Sequence, residues 1–374
     1  MSGFAFGSEF TVGIEEELLL VDPTTLELAP VAGEVLAGIR VEPEGAGHEA
    51  YAAQIELRSP PSDSAAEAAA RLAERRLAAL EAGATLIGAG VHPTGRLGDA
   101  ELVPTRRYER VADEMRGLLR RTPESALHVH VGMPDGESAV RGFNALRRHM
   151  PLLLGLSANS PWWFGRDSGL ASARSALVRA YPGRGIPEAL RDMAEAEERI
   201  AAMVIVAGAP EPTFLWWDLR LHPTHGTIEV REMDAQSSLE GVASLAALVR
   251  VLAVEAQDAP PAPRDASEVL DWSAFRAGRD GTEASILDDG RLRPLADVAR
   301  HTVARLRPIA RTLGDDDALD GIARLLEQGG GAGRQRSAEA RGGVRGMLRM
   351  LVEDTADTSL ARPRAGRFSG RPSG

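Results

Sequence analysis

Two periods organise the apolar positions of this chain. Long segments repeat them with the period of a helix. Ser64-Ala-Ala-Glu67 forms a capping box and opens an Ala/Leu/Arg-rich run to about Glu81. Further helical segments are predicted at about 105–120, 136–157, 187–207, 238–257, 294–313, 315–327 and 337–353, with Pro151 expected to kink or divide its own segment. Shorter segments alternate apolar and polar residues with the period of a strand, near Glu9–Val21, Glu49–Ser59, Thr85–Ala89, Ala126–Gly132, Thr213–Leu221 and Thr227–Glu232. His222-Pro-Thr-His-Gly226 sits between the last pair and reads as a hairpin connection. Strands in adjacent pairs with long helical insertions predict an α+β fold rather than a regularly alternating parallel sheet.

The alternation also sorts side chains by face, because residues i and i+2 of a strand point the same way. Glu15 and Glu17 share a face; so do Gln54, Glu56 and Arg58, with Ile55 and Leu57 opposite. His128 and His130 share one, as do Asp218, Arg220 and His222, and then Glu229 and Arg231. One such strand is an ordinary half-solvated strand. Five of them carrying mostly Glu, Asp, Arg and His are different, since clustered carboxylates repel and must be neutralised. Mg²⁺ is the expected neutraliser, held by carboxylates and nucleotide phosphates, with Arg meeting phosphate or carboxylate. With eight His and no Cys, one His joining an oxygen-donor site is favoured over a dedicated zinc site. His92 reads as a loop histidine, and the Trp162-Trp163-Phe164 and Trp216-Trp217 clusters as core or rim.

Composition narrows the chemistry. The 374 residues contain no Cys, which removes disulfides and cysteine nucleophiles, and no Lys, which removes a P-loop lysine and Schiff-base chemistry. Any phosphate must be met by Arg, backbone N–H groups or metal. A net charge of −11 argues against a nucleic-acid partner. With no apolar run long enough for a membrane and no signal pattern, the expected location is the cytoplasm. Residues 1–7 and the Arg/Pro/Gly-rich stretch 354–374 are expected to be disordered, leaving 8–353 as a single domain with a joint in the Pro-rich stretch 258–264. Gly329-Gly-Gly-Ala-Gly-Arg-Gln-Arg336 lacks P-loop spacing and reads as an inter-helix loop.

Several stretches, in this order, resemble the glutamate–cysteine ligase type 2 family of carboxylate–amine ligases. They are Gly13-Ile-Glu-Glu-Glu-Leu-Leu-Leu-Val-Asp-Pro23, Glu56-Leu-Arg-Ser59, His128-Val-His-Val-Gly-Met-Pro-Asp-Gly-Glu137, Ser157-Ala-Asn-Ser-Pro161, Ser168–Leu177, Trp217-Asp-Leu-Arg-Leu-His-Pro223 and Gly226-Thr-Ile-Glu-Val-Arg231. The resemblance runs from about Phe10 to Leu326. It implies a curved, mainly antiparallel sheet forming a funnel with helices on its outer face, as in glutamine synthetase and the guanido kinases. It implies an ADP-forming ligase that phosphorylates a carboxylate and lets an amine displace the phosphate, with ATP as co-substrate and Mg²⁺ or Mn²⁺ as cofactor. By motif, Glu15, Glu17, Glu49, Glu56, His130 and Glu229 look like the metal set. Glu56 and Glu229 are catalytic with Arg231, which resembles the arginine meeting the transferred phosphoryl group. Arg58 is expected at the substrate carboxylate and Arg174 at a nucleotide phosphate. The partners are small-molecule acids and amines, and the expected assembly is a homodimer.

The sequence also departs from the family. The family's Trp-Arg-Ala-x-Arg-Tyr-Gly segment is here Phe275-Arg-Ala-Gly-Arg-Asp-Gly281, and Arg231 is followed by an unusual charged residue, Glu232. These changes are read as sparing the ATP and metal chemistry and placing the substrate in question. The alternatives are a metal-dependent amide hydrolase that ignores ATP, and a nucleotide-binding relic without turnover. Which acid and which amine are joined is not written in the sequence.

Overall fold

The structure is a computed structural model and describes residues 3–361. The strands are β1 (Val12–Leu20), β2 (Ala46–His48), β3 (Gln54–Arg58), β4 (Leu86–Ile87), β5 (Ala126–Gly132), β6 (Trp162–Trp163), β7 (Arg166–Asp167), β8 (Leu219–His222), β9 (Thr227–Asp234), β10 (Ser285–Asp288) and β11 (Arg291–Pro294). A seven-stranded sheet has the order β2-β3-β1-β5-β9-β8, with β4 on the far end of β1. Every pairing in it is antiparallel. The turn at 223–226 joins β8 to β9 as a hairpin, and Gly226 closes it at φ 60° against the backbone of Ala5, where a side chain would not fit.

The apolar side of each strand faces helices. The described helices are α1 (Ala32–Gly38), α2 (Ala65–Glu81), α3 (Arg106–Met115), α4 (Gly136–Ser157), α5 (Ala173–Val178), α6 (Met193–Val206), α7 (Leu239–Asp258), α8 (Ser267–Asp280), α9 (Leu295–Leu313), α10 (Asp316–Leu319), α11 (Gly321–Glu327) and α12 (Gly330–Thr355), of which α2, α4 and α7 pack on that side. Ile14, Leu18, Ile55, Leu57, Val129 and Val230 form one core with Leu72 of α2, Leu146 of α4 and Leu245 of α7. This is the fold expected from the sequence: a mainly antiparallel sheet with helices on one side and its charged side turned away from them.

Glu16 is the exception on the apolar side. Strand alternation turns it into the core between Glu15 and Glu17, and it is fully buried. Arg76 of α2, equally buried, grips it with Nε and Nη2 at 2.6 Å each. The same guanidinium donates to the carbonyls of Ser237 (2.7 Å) and Gln236 (2.8 Å) after β9. One ion pair therefore pins β1, α2 and the β9–α7 turn together, with the spare donors satisfied.

Several local expectations change. Helix α4 runs through Pro151 without a break. The Gly-rich stretch is not a loop but the start of α12, because small residues let it press against Asn159. Ala332 N–H donates to Ala158 O at 3.0 Å, and Gln335 Nε2 to Asn159 O at 2.8 Å. Residues 4–6 are ordered by stacked Phe4 and Phe6 and by Ala5 N–H on Pro223 O (2.9 Å). At the other end α12 breaks at Gly343 (φ 64°) and resumes to Thr355, whose carbonyl meets Arg76, and a short turn follows at Ser359–Ala361. The rest of the stretch expected to be disordered lies outside the described residues. Helices α1, α5 and α8 were not anticipated; α1 and α5 are short, and α8 follows the Pro-rich stretch. That stretch joins α7 to α8, which both pack on α4. His92 is in a loop but fully buried, with Nε2 on Leu26 O (2.9 Å) and Nδ1 accepting from Thr94 N–H (3.3 Å). No described helix is long and apolar enough to cross a membrane.

Removing one partner of the Glu16–Arg76 pair strands a buried charge. Arg76→Ala is expected to cost about 3–5 kcal/mol in urea unfolding, and a double replacement, Glu16→Leu with Arg76→Met, to recover most of the loss.

Candidate active site

Sheet register brings the charged positions together. Across one rung Arg58 pairs with Glu15 and Glu15 with His128; on the next Glu56 pairs with Glu17; on a third Gly13 pairs with His130, His130 with Glu229 and Glu229 with Arg220. Between Leu127 and Val129 the register slips, so that His128 opposes both Arg231 and Glu232 on a β-bulge. The bulge explains the unusual charged residue after Arg231. It leaves Arg231 over the cluster and sends Glu232 to Arg179 (3.8 Å).

At the centre, single ligand atoms of Glu15, His128 and Glu229 all lie within 4.8 Å of one another. Glu15 Oε2 is 3.6 Å from both His128 Nδ1 and His130 Nε2, and Glu229 Oε1 is 4.0 and 3.7 Å from the same atoms. Glu17 Oε1 is 3.7 Å from His128 Nε2. Both nitrogens facing Glu15 are buried without a hydrogen-bond partner among the described residues. Orphaned imidazole nitrogens beside carboxylate oxygens, spaced too far for hydrogen bonds, fit a divalent cation.

The carboxylates are unevenly compensated. Burial pushes Glu56 well up, and Glu15 and Glu49 add to it, with only Arg58 opposing. Burial and Glu17 raise Glu49 to about 7. Burial also acts against Glu15, but the imidazoles of His130 and His128 beside it hold it well below the usual carboxylate range. Glu229 is buried too, and Arg231 and Arg220 hold it low. A carboxyl is pushed up in this way where the counter-charge around it is insufficient.

A cavity of about 450 Å³ opens over this face. Glu15, Glu17, Glu49, Glu56, Arg58, Arg174 and Arg231 line it, while His130 and Glu229 reach the cluster through Glu15. Arg174, expected at a nucleotide phosphate, lines the cavity with part of its guanidinium already engaged. It is 2% exposed, and its Nη1 donates to the carbonyls of Glu232 (2.9 Å) and Met233 (3.3 Å), so these donors brace β9 instead of reaching a ligand. Sequence reasoning passed over His128, although it shares the face of His130, and Arg220, which grips Glu229. It also passed over Arg107 and Tyr108 of α3 and Arg184 of an irregular loop, which line the cavity.

A larger cavity of about 930 Å³ lies among α4, α7, α9 and the Pro-rich stretch. Its Arg148, Arg293 and Arg305 are paired with Asp265, Asp288 and Glu255, which leaves little unmet charge. The altered Phe275–Gly281 segment lines neither cavity. Phe275 is surface-exposed beside Trp272, Arg276 donates to Ser285 O (2.9 Å), and Arg279 pairs with Asp280 (2.7 Å). Its changed aromatics therefore do not touch what the charged cavity holds.

The profile of glutamate–cysteine ligase family 2 matches residues 11–354. The chain belongs to this family. It is accordingly an ATP-dependent ligase that joins a carboxylate to an amine. A Rubrobacter xylanophilus protein named in the glutamate–cysteine ligase 2 series is 39% identical over 94% of this chain and 99% of its own length. The glutamate–cysteine ligase of Halobacterium salinarum is 37% identical over 76% of this chain and 82% of its own. Among solved structures, a Francisella tularensis glutamate–cysteine ligase in complex with AMP shares the fold at a TM-score of 0.63. It has 14% identity and covers 96% of this chain and 91% of its own.

A cation that binds only the folded family member stabilises it by mass action. Mn²⁺ at about a hundred times its dissociation constant should add about 2.7 kcal/mol, read as a higher melting temperature that a chelator reverses. His128→Ala should shrink that increment, and no increment in the wild type would contradict the cation site.

Proposed function

We propose that this ligase forms an amide through an acyl phosphate and releases ADP, with γ-glutamyl transfer to an amino acid as the reaction suggested by the names of its relatives. The observation that supports this most is the meeting of Glu15, Glu229 and His128 beneath a cavity whose other wall is arginine. Phosphoryl transfer to a carboxylate brings two anions together, so a site for it needs positive charge on both sides of the transferred group.

The metal set is Glu15, Glu17, Glu49, Glu56, His130 and Glu229, to which the geometry adds His128. Mg²⁺ or Mn²⁺ held there supplies charge neutralisation for the phosphates. Arg231, fixed over the cluster by Glu229, faces the phosphoryl group in transfer. Arg58, half-buried beside Glu56, meets the substrate carboxylate. The carboxylate oxygen attacks the γ-phosphorus and the bond to ADP breaks; the amine nitrogen then attacks the acyl carbon, phosphate leaves, and the nitrogen loses a proton. Helix α3 covers part of the cavity with Arg107, Tyr108, Val111 and Met115, which shields the acyl phosphate from water.

The test is product identity. Pure protein with Mg-ATP and panels of acids and amines should release ADP and phosphate, while Glu56→Gln and Glu229→Gln should lose at least about a hundredfold in kcat. AMP with pyrophosphate, or full activity in both variants, would contradict the mechanism. Amide cleavage without nucleotide would favour the hydrolase.

A further inference from the structure

The cavity has a second concentration of charge apart from its carboxylates. Arg174, Arg184, Arg220 and Arg231 all line it. Arg220 is occupied, by Glu229 and by the Thr213 carbonyl at 3.0 Å. The other three side chains are only 2, 9 and 11% exposed, yet each leaves its Nε without a hydrogen-bond partner among the described residues. A buried N–H donor without an acceptor is costly, and such groups are rare in folded proteins. Three such donors belong to side chains that line one cavity, where an acceptor from outside the chain would satisfy them.

Each of the three guanidiniums is held by neighbours. Arg174 is braced by the Glu232 and Met233 carbonyls and lies 3.7 Å from Asp234. Arg184 donates Nη1 to Asp218 Oδ1 at 3.0 Å, and the same carboxylate lies 3.6 Å from Arg179. Arg231 is tied to Glu229, and its own N–H donates to the Asp218 carbonyl at 2.8 Å. Asp218 thus links two of the three. The cations also crowd one another: burial and then the charges of Arg174 and Arg231 act against the Arg184 guanidinium, with Asp218 opposing. An anion between them would relieve that repulsion.

We propose that Arg174, Arg184 and Arg231 form an oxyanion cradle whose Nε–H groups converge on one anionic group, and that Arg184 is a ligand-binding residue of this enzyme. The anion is either a phosphoryl group of the nucleotide or acyl phosphate, or the carboxylate of the amine substrate. Only this choice rests on the ligase reading; the cradle itself rests on the unpartnered donors.

The test uses full-length protein with metal chelated, titrated calorimetrically with inorganic pyrophosphate and, separately, with L-cysteine. The wild type should bind at least one probe, and Arg184→Gln should weaken that binding about ten- to a hundredfold while leaving Mn²⁺ affinity unchanged. Arg184→Lys, which keeps a cation beside Asp218 but lacks Nε–H, should restore the melting temperature without restoring anion affinity. Response in the pyrophosphate arm assigns the cradle to phosphoryl groups, and response in the cysteine arm assigns it to the acceptor carboxylate. Equal binding by wild type and Arg184→Gln, recovery of anion affinity by Arg184→Lys, or a wild type that binds neither probe overturns the cradle. ADP release is followed in parallel. Turnover with no dependence on Arg184 rejects the cradle alone, and Arg184-dependent anion binding without ADP release rejects the ligase mechanism alone.

Discussion

Burying a carboxylate requires a counter-charge, and β1 meets that requirement differently on its two faces. Glu16 faces the helices and is closed off by Arg76 with both oxygens held at 2.6 Å. Glu15 and Glu17 face the cavity, where imidazole nitrogens of His128 and His130 lie 3.6–3.7 Å away. The first arrangement is complete without any ligand. The second is not, and Glu49 and Glu56 register the shortfall as carboxyls pushed up by burial and by their neighbours. The fold depends on the first pair, because it joins the central strand to its helix layer. The chemistry depends on the second group staying incomplete.

The rest of the site follows from that imbalance. Antiparallel register sets carboxylates on one strand against histidines and arginines on the next, so a short sheet collects them without long loops. The bulge at Arg231–Glu232 then keeps off the core face two neighbouring charges that strict alternation would have placed on opposite faces. Arginine suits this environment, since it stays charged when buried and offers several donors in fixed directions. A chain without lysine can therefore still surround a phosphate.

Much of the charged face was legible because its signal is local. The alternation in Gly13–Glu17, Gln54–Arg58, Ala126–Gly132 and Thr227–Arg231 specifies which side chains share a side, and the antiparallel sheet aligns them as that pattern requires. What was not legible depends on contacts distant in sequence. Nothing near Glu16 announces Arg76, 60 residues away. Arg184 lies in an irregular stretch and gains its place only through Asp218, 34 residues on. The Gly329–Arg336 stretch has low helix propensity, and its helical conformation comes from close packing on Asn159. Arg174 lines the cavity, and nothing near it in sequence announces the Glu232 and Met233 carbonyls that brace its guanidinium.

The central claim is that this face passes a phosphoryl group from ATP to a carboxylate. It is tested most directly by isotope transfer. With the acid substrate labelled with ¹⁸O in its carboxylate, each turnover through an acyl phosphate leaves one labelled oxygen in the inorganic phosphate, and mass spectrometry of that phosphate reads it. The account predicts label in the phosphate in step with amide formed. Amide formation with unlabelled phosphate, or with the label recovered in AMP, would contradict it.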